Sequence, residues 1–553
     1  MTKKQIVMKK LKNVLLLLIA FVVALYVYMP VLHYRFLSLP ILLMFLIVGW
    51  ILLNSFDKIQ NLGNSQQLPQ FSNFKGLKIP LILLLVLFLY ITVVPTVTTW
   101  AIFRTEKYRS LIGSIETGKD LSKNMLPISL EKIRVVDQKL AEILGDKVLG
   151  SQSALGSQVY LGEFNIQKVG NDLYWVAPLL HSGFFKWVNN LQGTNGYVMV
   201  NACNERDVKL VQEVNGQKVY IKYQSEGYLL QNLKRYLYFS GYFNVGMTDY
   251  SFEIDDAGVP YWVVTKYRKT IGFAGEEAQA VVVLNAQTGD IKEYSIDKAP
   301  AWVDRIQPAE FIETQLNNWG EYVHGFWNFS NKDKLQITEK MSLVYGNDNE
   351  AYWYTGLTSV GADESTVGFV LVNTRTKKAV WYRQSGATEF AAQNSAIGKV
   401  QEKRFTATLP IPYNINNIPT YVMSLKDNGG LVKMYAMVAI EDYTIVGVGN
   451  TLRETLMAYK NAFNTTGNKI SAKSKTEKQL INSVIARISG DVKNGNTYYY
   501  FTIKSMSKVF LGSSQLSNDF PLTAIGDSVV ISFDNDNQDV IDVSSFKNKS
   551  LRK

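Results

Sequence analysis

Few side chains in this chain could carry acid–base, nucleophilic or metal chemistry. The 553 residues include three histidines, His33, His181 and His324, and one cysteine, Cys203. Neither His181 nor His324 has a second His or Cys at metal-ligand spacing, so we expect no metal and no cofactor. A Cys203 nucleophile would need a positioned base, and His181 is the nearby histidine in sequence. We therefore predict no catalytic residue and keep a Cys203 hydrolase as an alternative.

Three segments match part of a known motif. Residues 113–119 resemble a phosphate-binding loop, but Asp120 stands where a Ser or Thr would reach magnesium. Ser129 and Lys132 have the spacing found in penicillin-interacting enzymes, without the accompanying motifs. Residues 534–539 resemble half of a calcium loop and lack its Gly and terminal Glu. We interpret them as a chance match, a helix surface and a polar turn, and Ser129 is the second nucleophile of the hydrolase alternative.

Aromatic side chains are concentrated in one segment that interrupts the surrounding strand pattern. Its Pro178 and Gly183 predict a loop. Aromatic rings in a loop can stack on sugars or grip a partner protein. The candidate binding residues of this predicted recognition surface are Tyr174, Trp175, His181, Phe184, Phe185 and Trp187.

The elements that must position these residues begin with a membrane anchor. Hydrophobic residues make up 47% of the chain and charged residues only 19%, below the roughly 25% of soluble proteins. The apolar excess is concentrated in residues 13–103, in uncharged runs long enough to span a bilayer core of ~30 Å. We predict three transmembrane helices, at about 13–34, 36–56 and 79–103.

Lysines set the predicted orientation of this anchor. Five lysines precede the first helix, and Lys58, Lys75 and Lys78 lie between the second and the third. By the positive-inside rule these segments face the cytoplasm, and residues beyond 104 are extracytoplasmic. The expected first partner is the lipid bilayer. The net charge of +11 is spread along the chain, so we expect no nucleic acid partner unless the topology is reversed.

Residues 104–553 read as a series of small domains. We predict a helical connector over 104–150, two α+β units over 151–300, and two more over 301–463, of which the fourth is degenerate. A polar linker over 464–479 leads to a small β-barrel over 480–553, whose five short predicted strands resemble an OB fold. The predicted fold class is α+β.

The α+β units are recognised by a weak internal repeat. An aromatic strand begins at Tyr174, Tyr261 and Tyr352, and in the fourth copy at Tyr421. The β-branched strand that follows ends at Asn201, Asn285 and Asn373, with Glu441 in the fourth copy. Asn favours turns because its side chain can bond its own backbone, so each copy predicts an antiparallel meander.

One copy resembles a known domain family. The stretch 281–291, a hydrophobic run followed by Asn285, the turn Thr288-Gly289-Asp290 and a new strand, resembles the closing hairpin of a PepSY-type domain. The resemblance implies extracytoplasmic domains linked to peptidase inhibition or regulation, with no catalytic residue to carry over. The whole chain resembles membrane-anchored proteins of Gram-positive bacteria or their mobile elements.

Together these patterns predict a membrane-anchored extracytoplasmic binding or scaffold protein that engages an envelope protein or peptidase. Two alternatives remain. One is an envelope hydrolase that uses Cys203 or Ser129, and the other is a cytoplasmic-facing, nucleic-acid-associated membrane protein of reversed topology.

Overall fold

The computed structural model places most of the 553 residues. The described residues are 3–62, 78–118, 128–346, 350–361, 365–383, 385–466, 479–493, 496–514, 516–533 and 540–551. The calcium-loop-like residues 534–539, Asp120, Lys75 and residues 467–478 of the predicted linker lie outside them. Two compact units divide the chain: Met1–Asp120 with Glu131–Ser385, and Leu121–Leu130 with Gly386–Lys553.

Three long helices open the first unit: α1 (Lys3–Tyr28), α2 (Ser38–Leu62) and α3 (Lys78–Thr99). By length and composition, Leu11–Tyr28 and Lys78–Thr99 are able to cross a membrane, and 6% and 0% of these stretches are buried. The apolar part of α2, Ser38–Asn54, is shorter. Two of the three predicted membrane-spanning segments are therefore long and apolar enough to cross a membrane.

Shorter helices follow along both units: α4 (Ala101–Ser110), α5 (Gln138–Gly150), α6 (Ser153–Gly156), α7 (Phe184–Asn189), α8 (Leu233–Leu237), α9 (Ala309–Glu321), α10 (Glu389–Gly398) and α11 (Leu452–Thr466). Within the predicted connector, 104–150, the structure has helix in α4 and again in α5 from Gln138 to Gly150. Asp137 has an extended backbone and its carboxylate accepts the Leu140 N–H, which makes it the N-cap of α5. Just before this cap, Val135 and Val136 both donate their backbone N–H groups to Ala202 O.

The first sheet contains β2 (Val159–Leu161), β3 (Asn165–Val169), β4 (Asp172–His181), β6 (Tyr197–Asn201) and β7 (Val208–Val211), and it follows β1 (Ile115–Gly118) in the chain. Its antiparallel order is β2-β4-β6-β7, with β3 also beside β4. Four short strands accompany it: β5 (Thr194–Asn195), β8 (Glu213–Val214), β9 (Gln217–Lys218) and β10 (Tyr220–Ile221).

The second sheet is a four-stranded antiparallel meander of β11 (Gly246–Ile254), β12 (Pro260–Ile271), β13 (Ala274–Asn285) and β14 (Ile291–Ser295). The third contains β15 (Leu335–Ile337), β16 (Ser342–Tyr345), β17 (Ala351–Ser359), β19 (Gly368–Asn373) and β20 (Ala379–Tyr382), with the short β18 (Ser365–Thr366) nearby in sequence. β1 runs parallel to β20 at its edge.

The second unit begins with β21 (Gly386–Ala387) and a fourth sheet of β22 (Thr406–Ala407), β23 (Ile411–Ile415), β24 (Ile418–Lys426), β25 (Val432–Ala439) and β26 (Val446–Gly449). Its antiparallel order is β22-β24-β25-β26, with β23 beside β24. The predicted strands and the mixed α+β class are therefore confirmed in both units.

The carboxyl-terminal strands close into a five-stranded barrel, as the sequence predicts. They are β27 (Gln479–Lys493), β28 (Asn496–Ile503), β29 (Met506–Ser513), β30 (Ser528–Phe533) and β31 (Val540–Asn548). The order is β27-β28-β29-β31-β30, and β29 runs parallel to β31. Phe501, Phe510, Phe520, Phe533 and Phe546 fill the interior. Gly512 leaves the space that the Phe520 ring occupies.

The same hydrogen bonds recur in the four sheets. In three of them a tryptophan on β4, β12 or β17 donates its indole N–H, at 2.8 Å in each case, to a carbonyl in the chain before a helix: Trp175 to Val136, Trp262 to Tyr223 and Trp353 to Gln307. The segment that carries this carbonyl also donates backbone N–H groups to the residue after the third strand, Ala202, Ala286 and Thr374. These bonds tie each helix segment to its own sheet.

In the fourth sheet, Tyr421 takes the position of the tryptophans. Its hydroxyl donates to Ala387 O at 3.4 Å, and Ala387 N donates to Ile440 O. Ile440 N bonds Pro419 O, two residues before Tyr421, just as Ala202 N bonds Leu173 O, two residues before Trp175. The sequence alignment of Tyr421 with Tyr174 is therefore off by one residue. Ala439 stands where the other sheets have Asn, and Glu441 lies beyond it.

Candidate functional site

The predicted recognition segment does not form a loop. Tyr174, Trp175 and His181 lie on β4, a ten-residue strand, and Phe184, Phe185 and Trp187 lie on the short helix α7. Pro178 is compatible with this strand because β3 pairs with Asp172–Val176 and β2 with Leu179–His181. Its missing N–H falls at the break between those two partners, so the strand continues through the proline.

The strand residues of this segment pack inside the first sheet. Trp175 is buried and makes the indole bond to Val136 described above. The Tyr174 hydroxyl lies 3.4 Å from Asp207 Oδ2, and the Lys209 ammonium lies 5.5 Å from its ring centroid. These contacts position the sheet and leave little aromatic surface for a partner.

His181 is buried at the end of β4. Its backbone N–H donates to Gln224 Oε1 at 3.1 Å, and the Gln224 amide donates onward to Thr194 Oγ1 and Ile221 O. Burial lowers the pKa of His181, so its imidazole is neutral at physiological pH. Ring atom Nε2 has no hydrogen-bond partner among the described residues.

Exposed apolar side chains lie on α7 and on the segments that hydrogen bonds of Gln231 and Arg235 join to it. We name this surface the aromatic rim, and its six residues are Phe184, Phe185, Leu191, Leu229, Leu230 and Phe239. Phe184 and Phe185 are 47% and 80% exposed, although both are large apolar side chains. Beneath them Trp187 is buried, and its indole donates to Gln231 Oε1 at 2.5 Å. The sequence found Phe184 and Phe185 but missed Leu229 and Leu230, because these lie about forty-five residues further along the chain.

The pairing of strands separates the residues of the hydrolase alternative. Ala202, which precedes Cys203, bonds Leu173 at one end of β4, whereas His181 lies at the other end. The eight residue steps from Leu173 to His181 span about 26 Å at ~3.3 Å per step. Burial also raises the pKa of the Cys203 thiol to about 11, so the thiolate is scarce at neutral pH.

The other partial motifs have no catalytic geometry. Ser129 precedes the 3₁₀ turn Leu130–Lys132, so Lys132 does not follow it by one turn of an α-helix. Residues 115–118 of the phosphate-loop match form β1, a strand, where a phosphate loop would lead into a helix. Among the described residues no group of three His, Cys, Asp or Glu side chains could hold a metal ion.

A cluster of buried charges joins the second sheet to its neighbours. Glu253 on β11 accepts from Ser251 Oγ at 2.7 Å and lies 3.9 Å from Arg305 Nη2. The adjacent Asp304 carboxylate accepts from the Lys168 N–H at 2.8 Å and the Tyr345 hydroxyl at 3.0 Å. Burial raises the pKa of Glu253 to about 7 and also raises the pKa of Asp304.

A cavity of about 420 Å³ opens beside Asp304. Arg375, one of its lining residues, already donates to the carbonyl oxygens of Ala299, Pro300 and Val303, all at 2.7 Å. Because this guanidinium is used to hold the loop, we interpret the cavity and the charge cluster as a junction between sheets.

The barrel presents a second exposed apolar surface, which we name the barrel loop (residues 519–527). Leu522 and Ile525 are 67% and 68% exposed on it. The buried Asn548 holds the loop: Nδ2 donates to Thr523 Oγ1 at 3.1 Å and to Asp527 Oδ2 at 2.8 Å. A loop fixed in this way loses little entropy when a partner covers it. Neither Leu522 nor Ile525 was predicted from the sequence as a site residue.

Comparisons with known proteins identify no relative of this chain. No protein-family model matches the chain, and a search of the curated proteins finds no significant match.

Proposed function

We propose that this chain is a membrane-anchored extracytoplasmic binding or scaffold protein. In this proposal its tandem PepSY-like units and OB-like barrel engage an envelope protein or peptidase. The observation that supports it best is the indole-to-carbonyl bond made by Trp175, Trp262 and Trp353, and replaced by the Tyr421 hydroxyl in the fourth sheet. Units built alike and placed in series offer contact area along the chain.

The membrane anchor is supported by the apolar helices and by their polar contacts. Leu11–Tyr28 and Lys78–Thr99 have the length and composition of membrane spans. Asn13 donates to Leu53 O and Asn54 Oδ1, which fixes α1 against α2. We propose that α2 crosses the membrane as well, which places residues beyond 104 outside the cell.

The barrel loop is our proposed contact for the protein partner. The barrel order β27-β28-β29-β31-β30, with β29 parallel to β31, resembles an OB fold, a fold that binds proteins, sugars or nucleic acids. Exposed apolar side chains on a preorganised loop suit a partner with an apolar groove. Leu522 and Ile525 would then be the residues that fill it.

A crosslinking experiment tests this contact. A photocrosslinker at position 525 in native membranes should capture an envelope protein, and Leu522→Asp should abolish the capture. Leu480→Asp is the matched control, because Leu480 is 68% exposed on β27 of the same barrel. Equal capture in both variants would show that the loop is not the contact.

Two further measurements separate the proposal from its alternatives. Protease added to intact cells should remove the body of the protein, whereas digestion only after permeabilisation would indicate the reversed topology. Cys203→Ala and Ser129→Ala should leave the biological effect of the protein intact. Loss of that effect in either variant, with the fold preserved, would favour the hydrolase.

A further inference from the structure

The aromatic rim is tied directly to the last turns of α1. The Arg235 guanidinium donates from Nε to Tyr26 O and from Nη1 to Leu229 O, both at 3.0 Å. One side chain therefore bridges the rim and a helix that is apolar enough to cross a membrane. The Phe239 ring also contacts the Tyr26 ring, with 6.0 Å between centroids.

Two bonds just beyond α1 hold the same region. The Tyr238 hydroxyl donates to Pro30 O at 2.9 Å, and Leu32 N donates to Phe243 O at 2.7 Å. The chain that leaves α1 thus runs along the segment that carries Phe239. Because these tethers begin at Tyr26 and end at Leu32, the rim lies at the level where α1 would leave the bilayer.

The segments of the rim are joined to one another. The Gln231 amide donates to Leu191 O at 2.9 Å and accepts the Trp187 indole N–H, which links α7 to the turn at Leu229. Leu229 itself has a φ of 50°, a left-handed conformation that is unfavourable for leucine. This strained backbone keeps a leucine exposed at the tether to α1.

The charges around the rim complement an anionic surface. Residues 182–192 and 222–243 contain four basic side chains, Lys186, Lys222, Lys234 and Arg235, and one acidic side chain, Glu226. Lys186 and Lys234 are exposed. Exposed aromatic and leucine side chains flanked by lysines are the composition of surfaces that lie in the headgroup region of a bilayer.

We propose that the aromatic rim inserts into the outer leaflet of the bilayer that α1 crosses. The occupant of this surface is lipid: the acyl-chain boundary receives Phe185 and Leu230, and anionic headgroups surround the lysines. This inference rests on the membrane anchor of the proposed function. It assigns Phe184 and Phe185 to the membrane instead of the protein partner, which binds at the barrel loop.

Site-specific fluorescence in the full chain tests the insertion. Cys203→Ser removes the only cysteine, after which Phe185→Cys or Leu230→Cys is labelled with an environment-sensitive dye. The protein is reconstituted into vesicles that contain phosphatidylglycerol. We expect a blue-shifted emission, strong quenching by lipids that carry a shallow spin label, and several-fold weaker quenching by aqueous iodide than at a water-exposed position.

Two control positions make the outcomes distinguishable. Glu205→Cys lies on the turn at the opposite end of the first sheet from α7 and should be quenched by iodide alone. Val22→Cys, exposed on α1, should be quenched by lipid spin labels and reports the anchor itself. If Val22 responds to lipid while positions 185 and 230 respond to iodide, the rim proposal fails and the anchor stands.

Two other results would also overturn the insertion. Quenching by iodide at position 22 would show that α1 does not lie in the bilayer, which would contradict both the anchor and the rim proposal. Access at positions 185 and 230 in pure lipid vesicles, followed by protection in native membranes, would show that a protein covers the rim. Two labelled positions guard against one variant that fails to fold.

Discussion

In the first unit, a charged side chain, Arg235, joins Leu229 of the aromatic rim to α1, a helix that is apolar enough to cross a membrane. In the second unit, Leu522 and Ile525 are fixed by a neutral amide, Asn548, inside a barrel. Both surfaces are apolar, so hydrophobicity alone does not identify what covers them. Our two proposals separate them by what holds each surface: we assign the rim, which is tied to the end of α1, to lipid, and the loop of the self-contained barrel to a protein.

The substitution with the largest expected effect lies in the barrel core, and it tests whether the two apolar surfaces are held independently. Phe520, the buried residue of the barrel loop, stacks on Phe546 with centroids 3.9 Å apart and on Tyr499 at 5.3 Å. Phe520→Ala should cost about 3–5 kcal/mol of stability, because it removes a buried ring and leaves a cavity. Hydrogen exchange of the full chain, read by mass spectrometry, should show the loss in β27–β31.

The control for this substitution is Leu522→Ala on the same turn. Its side chain is exposed, so the cost should stay within about 0.5 kcal/mol. Hydrogen exchange of the first unit should be unchanged in both variants. A rise in exchange there would mean that the two units unfold together, and the rim and the barrel loop could not be treated as independently held surfaces.

A smaller effect is expected at the amide that holds the barrel loop. Asn548→Ala removes the amide that donates to Thr523 Oγ1 and one of the two donors to Asp527 Oδ2, and should cost about 2 kcal/mol because Asn548 is buried. Exchange should rise most at Ala524 N, which donates to the same Asp527 carboxylate. The crosslink from position 525 should weaken although no exposed residue has changed. An unchanged crosslink would contradict the idea that a rigid loop matters.

The sequence predicted the strands well because each has a local signal. Asn285 and Asn373 end their strands by accepting backbone N–H groups of the following turn, at Gln287 and Thr288 and at Arg375 and Thr376. Such a turn is encoded within four residues, and a periodic pattern finds it. The barrel strands carry similar local patterns.

The candidate sites were harder to predict because they depend on contacts between distant residues. Leu229 comes close to α7, which carries Phe184, only because the turn at Leu229 folds onto that helix. Arg235 likewise reaches Tyr26 from 209 positions away in the sequence. The loop predicted at Pro178 became a strand because a break between two partner strands accommodates the proline. No local rule shows where a neighbouring strand ends.

A pH titration would test how the first unit differs from the barrel. Burial raises the pKa of Glu253 to about 7, above its ordinary 4.5, so the folded state binds this proton more tightly than the unfolded state. The stabilisation is full below the unfolded pKa and is lost as pH rises through about 7. Exchange in β11–β13 should therefore increase between roughly pH 5 and pH 8, and Glu253→Gln should flatten that increase. The same rise in Glu253→Gln would assign the pH dependence to another group.

The smallest expected effect concerns the bond that the two units make differently. Trp353 donates its indole N–H to Gln307 O at 2.8 Å, whereas the Tyr421 hydroxyl lies 3.4 Å from Ala387 O. The longer bond is weaker, so Tyr421→Phe should cost about 1 kcal/mol or less, near the low end for a buried hydrogen bond. Trp353→Phe should cost more, because it also removes ring volume from a packed site. Exchange at Ala387 N, which bonds Ile440 O, reports the first variant, and exchange at Gln307 N, which bonds Thr374 O, reports the second. If Tyr421→Phe costs as much as Trp353→Phe, the fourth sheet depends on its tyrosine hydroxyl more than the 3.4 Å distance implies.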